Sequence, residues 1–348
     1  MITRRNLLRL ALCDFAISLA SLAPLAGLVP LAGLVPLVGL APLAAHAQPA
    51  HVYRVGVLST TTAANAPIVR AFTQGMERIG WIDGKNISIE HRYAEGDADR
   101  LPELAAELVQ LKVDVIVALS GTGARAAKRV TSTIPIVFVT LTDPVGMGFI
   151  TSRSQPGGNI TGIAGIGPEL IASRLQLLKD MMLKLSRVAI ITTGEPTDVM
   201  QFAEVQRAAK SLGIDVLAIK VRGSDDLPQA LALLRRWRAD SIYVLDASMN
   251  FYNRDLLAKF AQENRLPMIA GMKTFAEAGG LISYGSDYED LSRHAASLVD
   301  KILKGANPAG IPVEQVGKVE LVINLKTAKA LGARIPQSVL ARADRVIE

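Results

Sequence analysis

Polar residues follow several apolar runs of this 348-residue chain, at the points where strands of a parallel sheet would end. Ligands of open α/β sheets bind beyond the carboxyl ends of the strands. Hydroxyl groups and the N–H groups at helix N-termini suit a carboxylate, whereas an aspartate suits an ammonium group. The residues predicted to bind a ligand are Ser59, Thr60, Thr61, Gly121, Thr122, Gly123, Thr140, Asp143, Asp246, Ser248 and Tyr284.

Each Ser or Thr in this set has an alternative role as a helix cap or turn residue. Ligand binding is favoured more strongly for Gly121–Gly123 and for Asp246, because both would face one cleft. We expect Asp246 to receive an amine, and its replacement to leave stability nearly unchanged. An aromatic ligand would need aromatic walls, for which the candidates are Phe149, Phe251, Tyr252 and Tyr284.

One motif supports a different function. Residues 121–126 fit G-x-G-x-x-A after a strand, and Asp143 follows about 20 residues later, as in a dinucleotide-binding fingerprint. Against an oxidoreductase, the motif follows the third strand and not the first, and an exported chain has doubtful access to nicotinamide cofactors. The nucleophile-elbow and P-loop motifs are missing. The sequence therefore predicts a binding protein with no catalytic residues and no cofactor.

Composition narrows the chemistry further. The only cysteine is Cys13, in a leader that we expect to be removed, which excludes disulfides and thiol catalysis from the mature chain. The histidines are too scattered to predict a metal site. The net charge of +6 is small, and the single basic cluster, residues 235–238, is predicted to be a solvated helix end. No nucleic-acid partner is expected.

The first 47 residues resemble an export signal. Arg4 and Arg5 precede a long apolar stretch, and Ala45-His46-Ala47 is typical of a cleavage site. The paired arginines resemble a twin-arginine signal. A retained membrane helix is an alternative, although four prolines at a six-residue period weaken it. A lipoprotein anchored at Cys13 is a further alternative, which the large preceding Leu12 disfavours.

Short β-branched runs then alternate with amphipathic stretches, which predicts α/β architecture with parallel sheets flanked by helices. Strands are predicted at 53–59, 87–92, 113–119 and 134–140. A glycine-rich segment, 144–168, is interpreted as a crossover without an element of its own, after which the alternation restarts. A capping-box spacing at 286–289 opens a helix whose buried stripe is predicted to be Leu291, Ala295, Leu298 and Ile302. The pattern indicates two similar lobes.

Long, unusual strings resemble the ABC transporter substrate-binding family that includes tryptophan- and tyrosine-type binding proteins. They include GWIDGKNISIEHRYAEGD at 80–97, TLTDPVGMGFI at 140–150 and LPMIAGMKTFAEAGGLISYGSDYEDL at 266–291, and the similar segments span nearly the whole mature chain. The resemblance implies a type I periplasmic-binding fold, with a small solute, such as an amino acid or a small carboxylate, held between two closing lobes. It also implies a membrane permease as partner and a periplasmic location.

We therefore predict a signal peptide over 1–47, lobe I from 48–160 plus 276–315, and lobe II from 161–275 plus 316–348. Hinges are expected near 160–164, 275–279 and 313–320. The predicted function is solute capture for an ABC importer. A periplasmic sensor that presents its liganded form to a receptor is the alternative, because one fold can serve either role.

Overall fold

The computed structural model describes residues 51–63, 66–141, 143–165, 170–182, 184–194, 196–315 and 318–348, and side chains 196 and 197 lie outside this description. The predicted leader, with its cleavage site, also lies outside the described residues. No helix in the described part of the chain is long and apolar enough to span a membrane. The chain from Pro49 to Glu348 is one compact unit.

The first sheet has six strands in the order β11-β5-β4-β3-β1-β2, and the neighbouring strands are parallel. Its central strands are almost wholly apolar because helices cover both faces. The strands are β1 Tyr53–Ser59, β2 Ile87–Tyr93, β3 Val115–Ala118, β4 Ile136–Thr140, β5 Ile160–Ala164 and β11 Glu314–Gln315, and the helices of this lobe are α1 Pro67–Arg78, α2 Leu101–Gln110, α3 Gly121–Val130 and α10 Tyr288–Leu303.

The second sheet has seven strands in the order β13-β12-β10-β9-β8-β6-β7, parallel except for the antiparallel pair β10–β12. Its strands are β6 Arg187–Thr192, β7 Asp215–Lys220, β8 Ser241–Val244, β9 Met268–Ala270, β10 Ile282–Ser286, β12 Val319–Asn324 and β13 Arg345–Ile347. The helices of this half are α4 Ile171–Met181, α5 Pro196–Leu212, α6 Leu227–Trp237, α7 Ser248–Tyr252, α8 Arg254–Glu263, α9 Lys273–Glu277, α11 Leu325–Leu331 and α12 Gln337–Leu340. The two sheets and their helices confirm the predicted α/β fold class.

The four predicted strands of the first sheet are confirmed, with ends that differ by two residues at most. The interpretation of 144–168 as a crossover without an element was wrong, because it contains β5. Gly162 weakens the sequence signal for a strand, because glycine is uncommon within strands. It also allows β5 to lie close to β4. A Cβ at Gly162 would lie 2.3 Å from the carbonyl oxygen of Phe138, so β5 approaches β4 more closely than a side chain would allow.

The assignment of each strand to one of the two sheets also corrects the predicted boundaries of the two lobes. Strand β5 belongs to the first sheet, whereas 161–275 was placed in lobe II, and β10 belongs to the second sheet, whereas 276–315 was placed in lobe I. The chain therefore passes between sheets after Ala164, after Ser286 and between β11 and β12. Of the three expected hinges, 313–320 spans a passage between the sheets and 160–164 ends directly before one, whereas 275–279 lies ahead of the passage after Ser286. We use lobe I and lobe II below for the two sheets with their helices.

Helix α10 begins directly after the second of these passages and packs on lobe I. The side chain of Asp287 caps it by accepting hydrogen bonds from the backbone N–H groups of Glu289 and Asp290 at 3.0 and 3.2 Å. The predicted stripe on this helix is confirmed, since Leu291, Ala295, Leu298 and Ile302 are all buried. Helix α10 thereby ties lobe I to the strand β10 that precedes it in lobe II.

Candidate ligand-binding cleft

A cleft lies between the carboxyl edges of the two sheets and encloses about 500 Å³ of empty space, its open mouth included. Both lobes contribute to its wall, which consists of Thr60, Ile68, Leu119, Ser120, Gly121, Thr122, Thr140, Leu141, Asp246, Ala247, Ser248, Phe251, Met272 and Tyr288.

The lobe I wall is built from strand ends and one helix N-terminus. Helix α3 begins at Gly121, and the Ser120 hydroxyl caps it by accepting a hydrogen bond from the N–H of Gly123 at 3.0 Å. The first N–H groups of a helix have no partner within the helix and carry its positive dipole end. This wall, with the hydroxyl-bearing residues Thr60 and Thr140, therefore favours a negatively charged group.

The lobe II wall centres on Asp246, which follows β8. The side-chain amide of Gln201 on α5 fixes its backbone twice, by accepting from Asp246 N at 3.0 Å and by donating to Asp246 O at 2.9 Å. Within the described residues, Asp246 Oδ1 is buried and has no hydrogen-bond partner. An unpartnered buried carboxylate oxygen is costly, so a donor from a ligand would stabilise it.

The other oxygen of Asp246 is occupied by a buried arginine. Arg174 on α4 donates from Nη1 to Asp246 Oδ2 at 2.8 Å, and the two side chains are 1% and 4% exposed. Burial alone would lower the pKa of Arg174, but Asp246 and Tyr243 raise it above its ordinary value. Arg174 is therefore a permanent cation, paired with a carboxylate that lines the cleft.

Tyr288, at the start of α10, lines the cleft. Its hydroxyl lies 3.1 Å from Leu119 O and 3.0 Å from Val139 O, so it binds the ends of β3 and β4. Burial, and then the negative charge of Asp246, raise the pKa of Tyr288, which keeps the hydroxyl a neutral donor. This tyrosine makes the cleft wall continuous between the two lobes.

The predicted site residues fall into three groups. Six of them line the cleft, namely Thr60, Gly121, Thr122, Thr140, Asp246 and Ser248. Three lie immediately beside it, since the Ser59 and Thr61 hydroxyls are 2.9 Å apart beneath Thr60, and Gly123 lies in the first turn of α3. Asp143 and Tyr284 are not among the lining residues, and the part of Tyr284 that makes a polar contact is its backbone oxygen, which accepts from Arg174.

The expectation that Asp246 is unimportant for stability does not fit this geometry. A buried ion pair is strongly destabilised when one partner is removed, because the remaining charge is left uncompensated. Sequence reasoning missed this because it did not single out Arg174. The signal was present, since Arg174 lies at helical spacing with Ile171, Leu175 and Leu178, which are all buried.

The hydrogen bonds of Asp143 also weaken the alternative hypothesis that the chain binds a dinucleotide. In the fingerprint, an acidic residue at the end of the following strand binds a ribose. Here the Asp143 carboxylate accepts hydrogen bonds from Val145 N and Gly146 N, both at 3.1 Å, and so holds its own turn. Among the aromatic candidates, Phe251 lines the cleft, whereas Phe149 is buried in the lobe I core.

Two further contacts join the lobes at the cleft margins, and each places a long side chain of lobe II against a glycine of lobe I. A Cβ on Gly146 would lie 2.6 Å from Met200 Cε, and a Cβ on Gly96 would lie 2.4 Å from the ring of Tyr252. The lobes therefore approach each other closely at these two places.

Two lobes with a polar cleft at the carboxyl edges of their sheets define a binding protein of the periplasmic-binding class. A family model described as ABC transporter substrate binding protein matches residues 57–347. The chain belongs to this family. The tyrosine-binding protein of Clostridioides difficile (strain R20291) is 31% identical to it over 263 residues, which are 75% of each of the two chains.

Two solved structures extend the comparison. The ABC domain in complex with L-Trp from Streptococcus pneumonia is 25% identical, with a TM-score of 0.78, and the match covers 85% of this chain and all of that chain. The ligand-free, open structure of a substrate binding protein with adhesive properties from Clostridium difficile is 26% identical, with a TM-score of 0.61, and the match covers 85% and 99% of the two chains. Identity and coverage are alike, so the lower score reflects a difference in shape.

Proposed function

We propose that this protein is the solute-capturing subunit of an ABC importer and that its cleft binds an aromatic L-α-amino acid. The observation that carries the proposal is the buried, unpartnered Oδ1 of Asp246, in the same cleft as the N-terminus of α3. The lobe II wall offers an unpartnered carboxylate oxygen to an amine, and the lobe I wall favours an anion. An α-amino acid carries both charges on one carbon.

The ammonium group binds Asp246 Oδ1, whose neighbouring oxygen is already held by Arg174. Because the Gln201 amide fixes the backbone of Asp246, this oxygen has a set position. A charge-assisted hydrogen bond there contributes about 1.5–3 kcal/mol.

The carboxylate binds at the start of α3. Helix N-termini bind anions through their backbone N–H groups and dipole, and the Gly121 backbone can be approached closely because it has no side chain. Thr60 and Thr140 bring hydroxyl groups to the same wall.

The ligand side chain occupies the apolar part of the cleft. Ile68 and Leu141 come from lobe I, and Phe251 and Met272 come from lobe II. An aromatic ring suits such a wall, since rings and methionine sulfur make favourable contacts. The names of the relatives, a tyrosine-binding protein and an L-Trp complex, support an aromatic side chain.

Capture proceeds by closure of the two lobes. A ligand that contacts both lobes has higher affinity for the closed arrangement and shifts the population towards it. Two observations support the view that the described arrangement is closed. The chain is closer in shape to the L-Trp complex than to the open structure, and Met200 and Tyr252 reach glycines of the opposite lobe.

The protein acts outside the cytoplasm, where substrate-binding proteins of ABC transporters typically work. The leader 1–47 directs export, with cleavage after Ala47 and with Arg4 and Arg5 as a twin-arginine signal. The closed form delivers its amino acid to a membrane permease, and no covalent chemistry takes place in the cleft.

The identity of the bound molecule can be read by mass spectrometry. Protein purified under native conditions is denatured, and the released small molecules are compared with those from the Asp246→Asn variant. We expect an aromatic amino acid from the wild type and a much smaller amount from the variant. Release of a nicotinamide dinucleotide, or of the same amino acid in equal amount from both proteins, would contradict the proposal.

A further inference from the structure

Arg174 is almost completely buried, which is unusual for an arginine. It is on the apolar face of α4, 1% exposed, at the carboxyl edge of the lobe II sheet. A Cβ on Gly271 would lie 2.4 Å from its Nη2, and a Cβ on Gly285 would lie 3.1 Å from the same atom. Gly271 therefore provides space for the guanidinium and for Asp246 Oδ1, which would lie 2.1 Å from the same Cβ, whereas a Cβ on Gly285 would first meet the carbonyl oxygen of Gly271 at 2.2 Å.

The guanidinium is held by three hydrogen bonds from two of its nitrogens. Nε donates to Tyr284 O at 2.7 Å, and Nη1 donates to Tyr243 Oη at 3.1 Å and to Asp246 Oδ2 at 2.8 Å. The contacts come from β10, from β8 and from the residue that receives the ligand amine. Arg174 thus occupies Oδ2 of Asp246, and Oδ1 remains without a hydrogen-bond partner among the described residues.

The pair also sets the charge of the cleft wall. Asp246 with Arg174 is neutral overall, so an ammonium group on Oδ1 introduces an uncompensated positive charge a few ångströms from a buried guanidinium. Charges interact strongly at such distances in a partly buried site. A ligand that brings its own carboxylate is neutral overall and lessens this repulsion. A ligand with the amine alone does not.

We propose that Arg174 determines the charge preference of the cleft, so that zwitterionic amino acids bind and cationic amines of the same shape are rejected. This inference rests on the proposed amino-acid function. Arg174 is a positioning and specificity residue, which acts on the ligand through Asp246. A purely structural role would lower stability without changing the relative affinity for zwitterion and cation.

The test compares two probes that differ mainly in charge, L-tryptophan and L-tryptophanamide. Their dissociation constants are measured by calorimetry for the wild type, for Arg174→Gln and for Arg174→Lys. We expect the wild type to prefer tryptophan, and Arg174→Gln to reduce that preference by about tenfold or more, because the buried positive charge is gone. Arg174→Lys retains the charge, so it should keep the preference even if both affinities fall.

Arg174→Gln leaves Asp246 uncompensated and is expected to be less stable. If it does not fold in buffer alone, the titrations are run in sucrose, which favours the compact state. The wild-type measurement does not depend on the variant. Equal affinity of the wild type for the two probes would overturn the proposal.

The outcomes also separate this inference from the function on which it rests. If the wild type binds neither probe, nor L-tyrosine, the amino-acid proposal fails and the role of Arg174 fails with it. If the wild type binds tryptophan but Arg174→Gln keeps the same preference between the probes, only the role of Arg174 is overturned. A loss of the preference in Arg174→Lys as well would likewise contradict a role for the charge.

Discussion

Asp246 has two carboxylate oxygens in different situations. Oδ2 accepts a hydrogen bond from Arg174, and Oδ1, which we propose binds the ligand amine, is buried without a hydrogen-bond partner in the described part of the chain. The same side chain therefore contributes both to the stability of lobe II and to the proposed affinity. Neither task can be removed by mutation without affecting the other. This coupling distinguishes Asp246 from a carboxylate that merely lies in a solvent-filled cleft.

Replacing Asp246 with asparagine should therefore lower both quantities. We expect the free energy of unfolding without ligand to fall by about 3–5 kcal/mol, because the Arg174 charge is left buried and unpaired. Affinity for L-tryptophan should fall by roughly 10- to 150-fold, since a charge-assisted hydrogen bond is lost. Urea unfolding and calorimetry on the same preparations measure the two effects.

Asp114→Asn is the matched control, because Asp114 directly precedes β3, its carboxylate accepts a hydrogen bond from Arg54 N at 2.7 Å, and it is not among the residues that line the cleft. It should change affinity little and stability by about 1 kcal/mol at most, as expected for one partly exposed hydrogen bond. An Asp246→Asn variant that keeps both wild-type stability and wild-type affinity would remove Asp246 from the site and from the ion pair.

At this scale the sequence predicted several polar residues that line the cleft, and their role in ligand binding stays a prediction. Thr60, Gly121, Thr140 and Asp246 come directly after or close to buried strands, and that pattern is local. The apolar half was not predictable in the same way. Ile68 and Met272 are ordinary hydrophobic residues in sequence, and they line the cleft only because of how the lobes pack.

At the level of helices and loops, the margins of the cleft are closed by paired elements from the two lobes. Met200, near the start of α5, is 42% exposed, yet its methyl group lies against the loop that contains Gly146. A contact of this kind exists only when the lobes are close. It therefore contributes to closure and not to the folding of either lobe.

Met200→Ala and Gly146→Ala should each weaken ligand binding with little effect on unfolding of the free protein. We expect affinity for L-tryptophan to fall by about 3- to 10-fold, the equivalent of about 1 kcal/mol. The melting temperature without ligand should barely change in Met200→Ala, as is usual for surface substitutions. In Gly146→Ala it should fall slightly, because the new Cβ would also lie 2.7 Å from Asp143 Oδ2 within lobe I. Calorimetry and thermal melts measure the two quantities.

Gly310→Ala is a suitable control for Gly146→Ala. Both glycines are exposed and lie in lobe I, and neither has a positive φ, but a Cβ on Gly310 would meet no atom within 4 Å. It should leave affinity unchanged. If Gly146→Ala and Met200→Ala bind the ligand as tightly as Gly310→Ala does, this contact has no part in closure.

The start of α10 gives a prediction about pH. Lys273 Nζ donates to Asp287 Oδ2 at 3.0 Å, next to the passage from lobe II to lobe I. Burial alone would raise the pKa of Asp287, but Lys273 and the N–H groups at the helix start lower it below its ordinary value. A carboxylate with a lowered folded-state pKa stabilises the fold above its unfolded pKa, near 4, and this contribution is lost as the pH falls towards the folded pKa.

Wild type should therefore be more stable than Asp287→Asn at pH 6, by about 1 kcal/mol, and the difference should shrink below pH 4. Asparagine keeps the helix cap, so the variant isolates the charge. Urea unfolding at both pH values measures it. In a Lys273→Gln background the Asp287→Asn difference should be smaller at pH 6, and a difference that grows as the pH falls would contradict the assignment.

At this scale, some secondary-structure elements could be predicted from the sequence and others could not. The buried stripe of α10 was predictable because helical periodicity is local. Strand β5 was missed because its glycine, Gly162, is required by contact with β4 and gives no local signal for a strand. The sheet to which β10 belongs depends on its partners β9 and β12, which are chosen by the tertiary fold.

At the scale of the whole molecule, we propose that the two lobes close on a zwitterionic ligand. The family and fold are established by the match over residues 57–347 and by the two sheets. The class of ligand and its place between the lobes are proposals, which depend on the unpartnered Asp246 oxygen in lobe II and on the helix N-terminus in lobe I. The passages between the sheets, at which closure would bend the chain, were only partly predicted because they depend on sheet membership.

Calorimetric titration of the purified protein with L-tryptophan and L-tyrosine tests the central claim most directly. The protein is first unfolded and refolded, so that any ligand retained during purification is removed. The account predicts saturable binding of at least one of these amino acids, one molecule per chain, with a negative heat-capacity change from apolar burial. No binding of either amino acid by folded protein, or binding of NAD alone, would contradict it.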